Sequence, residues 1–206
     1  MARLLYIESS PRKQRSASIS VSRTFLENYS KKHPEDTIET IDLWKEELPI
    51  FDGPTIDAKY AIMHGQPHTE PQKKAWQAVE KVIAKFKTTD KYLISLPMWN
   101  FGIPYKLKHY LDVLVQPTYT FASTPEGTKG LITGKPLLLI LSRGGTYQGE
   151  SAAFDYQKPY LEMILKFIGF TDIHSVIIEP TLSGKEAKEK ALERATAQAL
   201  ELAKTF

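Results

Sequence analysis

Five short apolar runs, separated by stretches of helical periodicity, constrain this chain more than any other feature. They lie at residues 4–7, 38–41, 92–96, 137–141 and 176–178. The last three show little alternation of apolar and polar residues, which is the pattern of strands buried on both faces. Parallel strands need crossover connections, and the segments between the runs read as helices. Val21, Phe25 and Tyr29 repeat every four residues after the first run. Ala75, Trp76, Val79, Val82, Ile83 and Phe86 make one apolar face ahead of the third. Thr69 and Gln72 are spaced there as a capping box, with Pro71 in the first turn. Leu107, Tyr110, Leu111, Leu114 and Val115 form a stripe after the third run. Tyr160, Leu161, Ile164, Leu165 and Ile168 form the next, closed by Gly169 at a C′ position. The last helix carries a small-residue face, Ala187, Ala191, Ala195, Ala199 and Leu202, suited to close packing on a sheet.

A strand followed by a helix, five times over, predicts an α/β fold in which a doubly wound five-stranded parallel sheet carries helices on both faces. The chain reads as a single domain, 1–206, with room for a full core. Two insertions break the rhythm. Residues 42–68 are rich in proline and have little periodicity. Residues 116–134, between the third and fourth strands, hold two strand-like pieces, 119–121 and 131–132, around a turn-rich centre. Loops of this length inside a compact domain are often functional.

Composition removes several classes of chemistry. There is no cysteine, hence no disulfide framework, thiolate nucleophile, iron–sulfur cluster or cysteine-based zinc site. The histidines are scattered; His64 and His68 are four apart, but Gly65 and Pro67 lie between them, so no metal site is expected. Lys plus Arg numbers 27 and Asp plus Glu 24, and the resulting +3 is too small to point to nucleic acid. The longest apolar runs are about five residues, against roughly 20 to span a bilayer. The apolar stretch before Glu8 is too short for a signal peptide. These features predict a cytoplasmic protein with no membrane partner.

In open α/β sheets, ligands bind outside the carboxyl ends of the strands. After the first strand come Ser9, Ser10, three cations (Arg12, Lys13, Arg15) and the Ser16-Ala17-Ser18 turn that opens the first helix. Hydroxyls and the free N–H groups of a helix start are the parts of a phosphate site. They are also the parts of an ordinary N-cap beside solvated cations. The loop matches neither the G-x-x-x-x-G-K-[ST] phosphate loop nor the G-x-G-x-x-G dinucleotide turn. After the third strand, Met98, Trp99, Asn100 and Phe101 lead to Gly102 and Ile103. Such a cluster covers something apolar, either a planar ring or a subunit interface. After the fourth, Ser142, Arg143, Gly144 and Gly145 allow close approach of a ligand to the backbone. A phosphate site at one end and a flat apolar cradle at the other suit a mononucleotide with a large ring, and FMN fits best.

The loops just described, with Thr120-Phe121, the 130–135 segment Gly-Leu-Ile-Thr-Gly-Lys and Phe167-Ile168-Gly169, resemble the FMN-dependent NADH azoreductases of the flavodoxin-like quinone reductase superfamily. The resemblance covers the chain from end to end and implies strand order 2-1-3-4-5. It implies that Ser10, Ser16, Ala17 and Ser18 bind the FMN phosphate and ribityl chain. Met98, Trp99, Asn100 and Phe101 would cradle the ring, with Ser142, Arg143, Gly144 and Gly145 closing its other edge. It further implies hydride transfer from NADH or NADPH to the flavin and on to a quinone or azo compound, by ping-pong kinetics, in a homodimer with its sites at the interface. Tyr147 follows the Gly-Gly loop, but no histidine follows before His174, so no acid, base or other catalytic residue is assigned. The rival reading is a flavodoxin-type electron carrier that binds FMN without NAD(P)H-linked turnover. Such carriers are usually acidic, and this chain is not.

Overall fold

A computed structural model describes all 206 residues. Its main sheet contains β1 (Arg3–Glu8), β2 (Thr37–Asp42), β3 (Lys91–Pro97), β6 (Leu137–Ser142) and β7 (Ile173–Ile178), all parallel, in the order β2-β1-β3-β6-β7. Counting only these strands, that is the expected order 2-1-3-4-5. A separate antiparallel hairpin, β4 (Phe121–Thr124) and β5 (Gly127–Gly130), lies between β3 and β6 in the chain. The helices are α1 (Ala17–Lys32), α2 (Gly53–Met63), α3 (Glu70–Lys87), α4 (Tyr105–Leu114), α5 (Lys158–Phe167) and α6 (Lys185–Thr205).

Strand periodicity divides the core in two. Leu5, Ile94, Leu137, Leu139 and Leu141 belong to one buried cluster with α3, α4 and α5. Leu4, Tyr6, Leu93, Leu138 and Ile140 belong to the other, with α1 and α6. Alternate residues of one strand serve opposite faces, so both faces demand apolar side chains and the alternation vanishes from the sequence. The small-residue face of α6 runs through Ala191, Ala195, Ala199 and Ala203, all buried. Ala203 extends it at a period of four, the expected Leu202 is partly buried against the same core, and the face packs on α1 as well as on β7.

The helix ends follow local chemistry. The Thr69–Gln72 capping box opens α3, with both reciprocal bonds formed. Helix α5 ends in a Schellman motif: Gly169 N–H donates to Lys166 O (3.0 Å) and Phe170 N–H to Leu165 O (3.1 Å). Gly169 has φ +117°, a conformation that L side chains resist.

Two local readings are corrected. Residues 42–68 are not structureless: Asp52 caps α2 through its bond from Thr55 N–H. The helix escaped notice because it buries only Thr55 and Ala58, while Ile56, Tyr60 and Met63 are exposed. Of the strand-like pieces 119–121 and 131–132, only Phe121 joins the hairpin, pairing with Gly130, and the other residues flank it. Leu131 N–H donates to Thr120 O (2.9 Å) and Ile132 N–H to Ile168 O (2.8 Å), so these residues anchor the hairpin to the body. There Gly130 meets Gly169 backbone to backbone, and a Cβ on Gly130 would fall on the Gly169 and Ile168 main chain. Gly130→Ala is therefore expected to lower stability by about 1–3 kcal/mol. Gly53→Ala, where a Cβ meets nothing, should stay within about 0.5 kcal/mol. Urea unfolding of the two variants measures the difference.

Candidate functional site

The ends of β1, β3 and β6 meet at one rim of the sheet, as parallel pairing requires. A cleft of about 190 Å³ opens there, lined by Ser10, Ser16, Ala17, Met98, Trp99, Ser142, Arg143 and Gly144 among others. Three separated loops thus converge. Ser18, Asn100, Phe101 and Gly145 lie beside the cleft rather than in its lining. Ser18 is fully buried, its Oγ 3.1 Å from Ser16 Oγ.

The β1 loop is held open by an ion pair. Lys13, at φ +48°, turns inward to Glu8 (2.6 Å) and Asp42. Burial works against its ammonium, but the bonds to Asp42 and Glu8 outweigh it and raise its pKa above the usual lysine value. Lys13 therefore stabilises the loop and does not face the cleft. Arg12 and Arg15 do line it. Ser16 caps α1 by accepting from Ile19 N–H (3.4 Å), and the first two helical amides, on Ala17 and Ser18, have no protein partner. Ser10 Oγ is buried and unbonded although it borders the cleft. A buried hydroxyl without a partner is costly, and an anion placed before α1 would satisfy it.

The β3 loop is a tight reversal. Trp99 and Gly102 exchange backbone hydrogen bonds (3.0 and 2.9 Å), and Asn100 and Phe101 between them have φ +46° and +68°. Two successive positive φ values resemble a type I′ turn. Asparagine tolerates this; for phenylalanine it is strained. The turn leaves both central amides without protein partners and puts Phe101 48% exposed, with its ring 5.7 Å from Phe154 and 6.3 Å from Tyr147. Trp99 packs against Trp44 (5.7 Å), whose Nε1 donates to Ser9 O (3.1 Å), and so ties this loop to the first. On the other side of the turn a larger cavity, about 710 Å³, is lined by Phe51, Gly102, Ile103, Tyr105 and Tyr156 among others.

The β6 loop hangs on Arg143. Its guanidinium is 2% exposed and pairs with Asp155 (2.7 Å) and Glu179 (3.3 Å), while Nε donates to Gln157 (3.0 Å). Glu179 also accepts from Tyr147 N–H (3.3 Å). The Arg143 side chain therefore serves the protein interior, and the amides of Gly144 and Gly145 are the loop's unbonded donors. A fourth wall, which the motifs did not announce, comes from beyond β7: Thr181, Leu182 and Lys188. None of the residues lining the cleft is acidic. This donor set, with its orphan hydroxyl, free helix-start amides and cationic rim, fits a phosphate, and the flat aromatic turn beside it fits a ring. No group of three or more acidic or histidine side chains is arranged to hold a metal ion.

Comparison with known proteins identifies the chain's relatives. A family model described as "Flavodoxin-like fold" matches residues 2–203. An FMN-dependent NADH:quinone oxidoreductase of Desulfotalea psychrophila is 46% identical over 206 residues, covering 99% of this chain and 97% of the relative. One from Nitratidesulfovibrio vulgaris is 44% identical, covering 98% and 100%. Among solved structures, an azoreductase from Bacillus anthracis superposes with TM-score 0.93 at 31% identity, covering 100% of both chains. A FMN-dependent NADH-azoreductase of the same organism, in complex with FMN, superposes with TM-score 0.88 at 30% identity, covering 98% of this chain and 100% of that one.

Arg143→Met leaves Asp155 and Glu179, both largely shielded from water, without their cation. It should cost about 3–5 kcal/mol in urea unfolding, because a broken buried ion pair strands its partner charges. Adding Asp155→Asn and Glu179→Gln to that variant should recover much of the loss.

Proposed function

The chain belongs to the flavodoxin-like fold family and, within it, to the FMN-dependent NADH:quinone oxidoreductases, and we propose that it reduces quinones and azo compounds with NADH or NADPH through bound FMN. The observation that carries this reading is the convergence of an unsatisfied phosphate-type donor set with a strained aromatic turn at one rim of the sheet. FMN would supply the two-electron chemistry that links a nicotinamide donor to the acceptor. The protein's own residues bind and orient. Ser10 Oγ and the amides of Ala17 and Ser18 would hold the phosphate, with Ser16 fixing the turn. Met98, Trp99, Asn100 and Phe101 would cradle the ring. The unbonded amides of Gly144 and Gly145, beside Ser142 and Arg143, would face its polar edge, where fixed donors stabilise negative charge. No side chain is assigned as acid or base.

Residues 1–206 are read as one FMN-binding domain acting in the cytoplasm. No helix is long and apolar enough to cross a membrane. The same proposal includes a homodimer with its sites at the interface. Phe101, Tyr105, Phe154 and Tyr156 are all exposed around the larger cavity, and a second subunit would cover them.

Two measurements test this. Purified protein supplied with FMN should hold it, bleach with NADH and recover its absorbance when a quinone is added. Protein that takes up no flavin refutes the reading, and flavin that NADH cannot bleach points to an electron carrier. Sedimentation should give twice the 23.4 kDa chain mass; a monomer removes the interface. Separately, Ser10→Ala should weaken FMN binding by about 1.5–3 kcal/mol, the worth of a hydrogen bond to a charged group. The flavin-free variant should be no less stable than the parent, since an unpaired buried hydroxyl is removed.

A further inference from the structure

We propose that Lys188, together with Arg12 and Arg15, binds the cofactor's phosphate and makes the cleft select a phosphorylated flavin over riboflavin. This rests on the flavin reading above and extends it to a wall of the cleft that lies outside the three motif loops.

That wall is fixed in place. Thr181 N–H donates to Arg143 O (3.0 Å) and Gly144 O (3.1 Å), Leu182 N–H to Gly144 O (3.0 Å), and Thr181 Oγ1 to Arg143 O (2.8 Å). The segment is thereby stitched to the Gly-Gly loop. Leu182 is 80% exposed yet lies directly over Gly144, where a Cβ would meet its Cδ1 at 2.8 Å. Helix α6 starts from there and brings Lys188 to the cleft.

Of the four cations lining the cleft, Arg143 is paired with Asp155 and Glu179, and the other three have no ion-pair partner. Lys13 makes two ion pairs, whereas Arg12, Arg15 and Lys188 make none. On α6 the neighbouring lysines are paired along the helix, Lys185 with Glu189 (3.9 Å) and Lys190 with Glu186 (2.7 Å). Lys188 has Gly184 and Leu192 four residues away and Lys185 and Ala191 three away, so its own helix face holds no carboxylate. All three cations stand near the positive end of a helix, Arg12 and Arg15 ahead of α1 and Lys188 in the first turns of α6. A helix dipole disfavours a cation there. With no acidic residue lining the cleft, an anion is the one species that relieves this arrangement. The unbonded Ser10 Oγ marks the same place for a phosphate.

The test is a flavin-fluorescence titration of the full chain, stripped of flavin, with FMN and with riboflavin. Lys188→Gln should raise the Kd for FMN roughly threefold to tenfold, as expected of a screened charge contact. It should leave riboflavin binding unchanged and flatten the salt dependence of FMN binding. Lys188→Glu should weaken FMN further, and the Arg12→Gln/Arg15→Gln pair should act in the same direction. Lys185→Gln, on the same helix and paired to Glu189, should change neither Kd. Equal effects on FMN and riboflavin, or no effect on FMN, overturn the inference while leaving the flavin reading intact. A parent protein that binds neither flavin overturns both.

Discussion

Everything at the cleft depends on the register of four parallel strands. Glu8 pairs with Ser95, Pro97 with Ser142 and Ser142 with Ile178, so β3, β6 and β7 end at one level and β1 two residues short of it. The same register sorts Leu137, Leu139 and Leu141 into one core and Leu138 and Ile140 into the other. A slip of one residue would exchange the two sets against helices shaped for the other face. The packing that makes the sheet stable is therefore also what brings the loops together. The ladder even continues past the strand ends. Ser9 N–H donates to Ser95 O (2.9 Å), Met98 N–H to Ser142 O (2.7 Å) and Arg143 N–H to Ile178 O (3.0 Å), so each loop leaves the sheet on a fixed course.

Beyond that edge the chain gives up local comfort. Phe101 sits at positive φ, Ser10 keeps a buried hydroxyl unpaired, and a guanidinium with two carboxylates is taken out of water. Each costs stability taken alone, and they cluster where a ligand or a partner surface offsets them. The rest of the molecule shows the opposite habit. Side-chain caps open α2 and α3, and the strands and most helices carry the residues their periodicity calls for.

That contrast explains what could be read from the residues. The five strands of the sheet and most helices were legible because both-face burial leaves unbroken apolar runs and amphipathic stripes leave a periodic trace, while the strand order came from the family resemblance. Helix α2 was not, since its apolar residues surround the axis and it buries only Thr55 and Ala58. In the hairpin, Thr120, Leu131 and Ile132 proved to be anchors, and the ladder runs from Phe121 to Gly130 through a largely polar, glycine-containing stretch with no apolar alternation. At the cleft, the Ser16 cap and the Gly-Gly loop were visible as local chemistry. Trp44 and the Thr181-to-Lys188 wall were not, because their roles come from contacts across the fold. Arg143 was legible as part of a motif, but its neighbours in sequence give no hint that Asp155 and Glu179 close on it.

The three cations of the first loop show the same division at the smallest scale. In the sequence, Arg12, Lys13 and Arg15 form a single basic cluster on a chain of net charge +3. In the fold they part. Lys13 turns in to Glu8 and Asp42 and braces the turn that presents Ser16, while Arg12 and Arg15 stay unpaired at the cleft. A weak net charge thus coexists with a strongly positive rim, because nearly all the acidic side chains lie elsewhere and a narrow cleft concentrates the field of the cations that remain. The potential an anionic ligand meets is set by which charges are neutralised internally, and that is decided by the fold rather than by the composition.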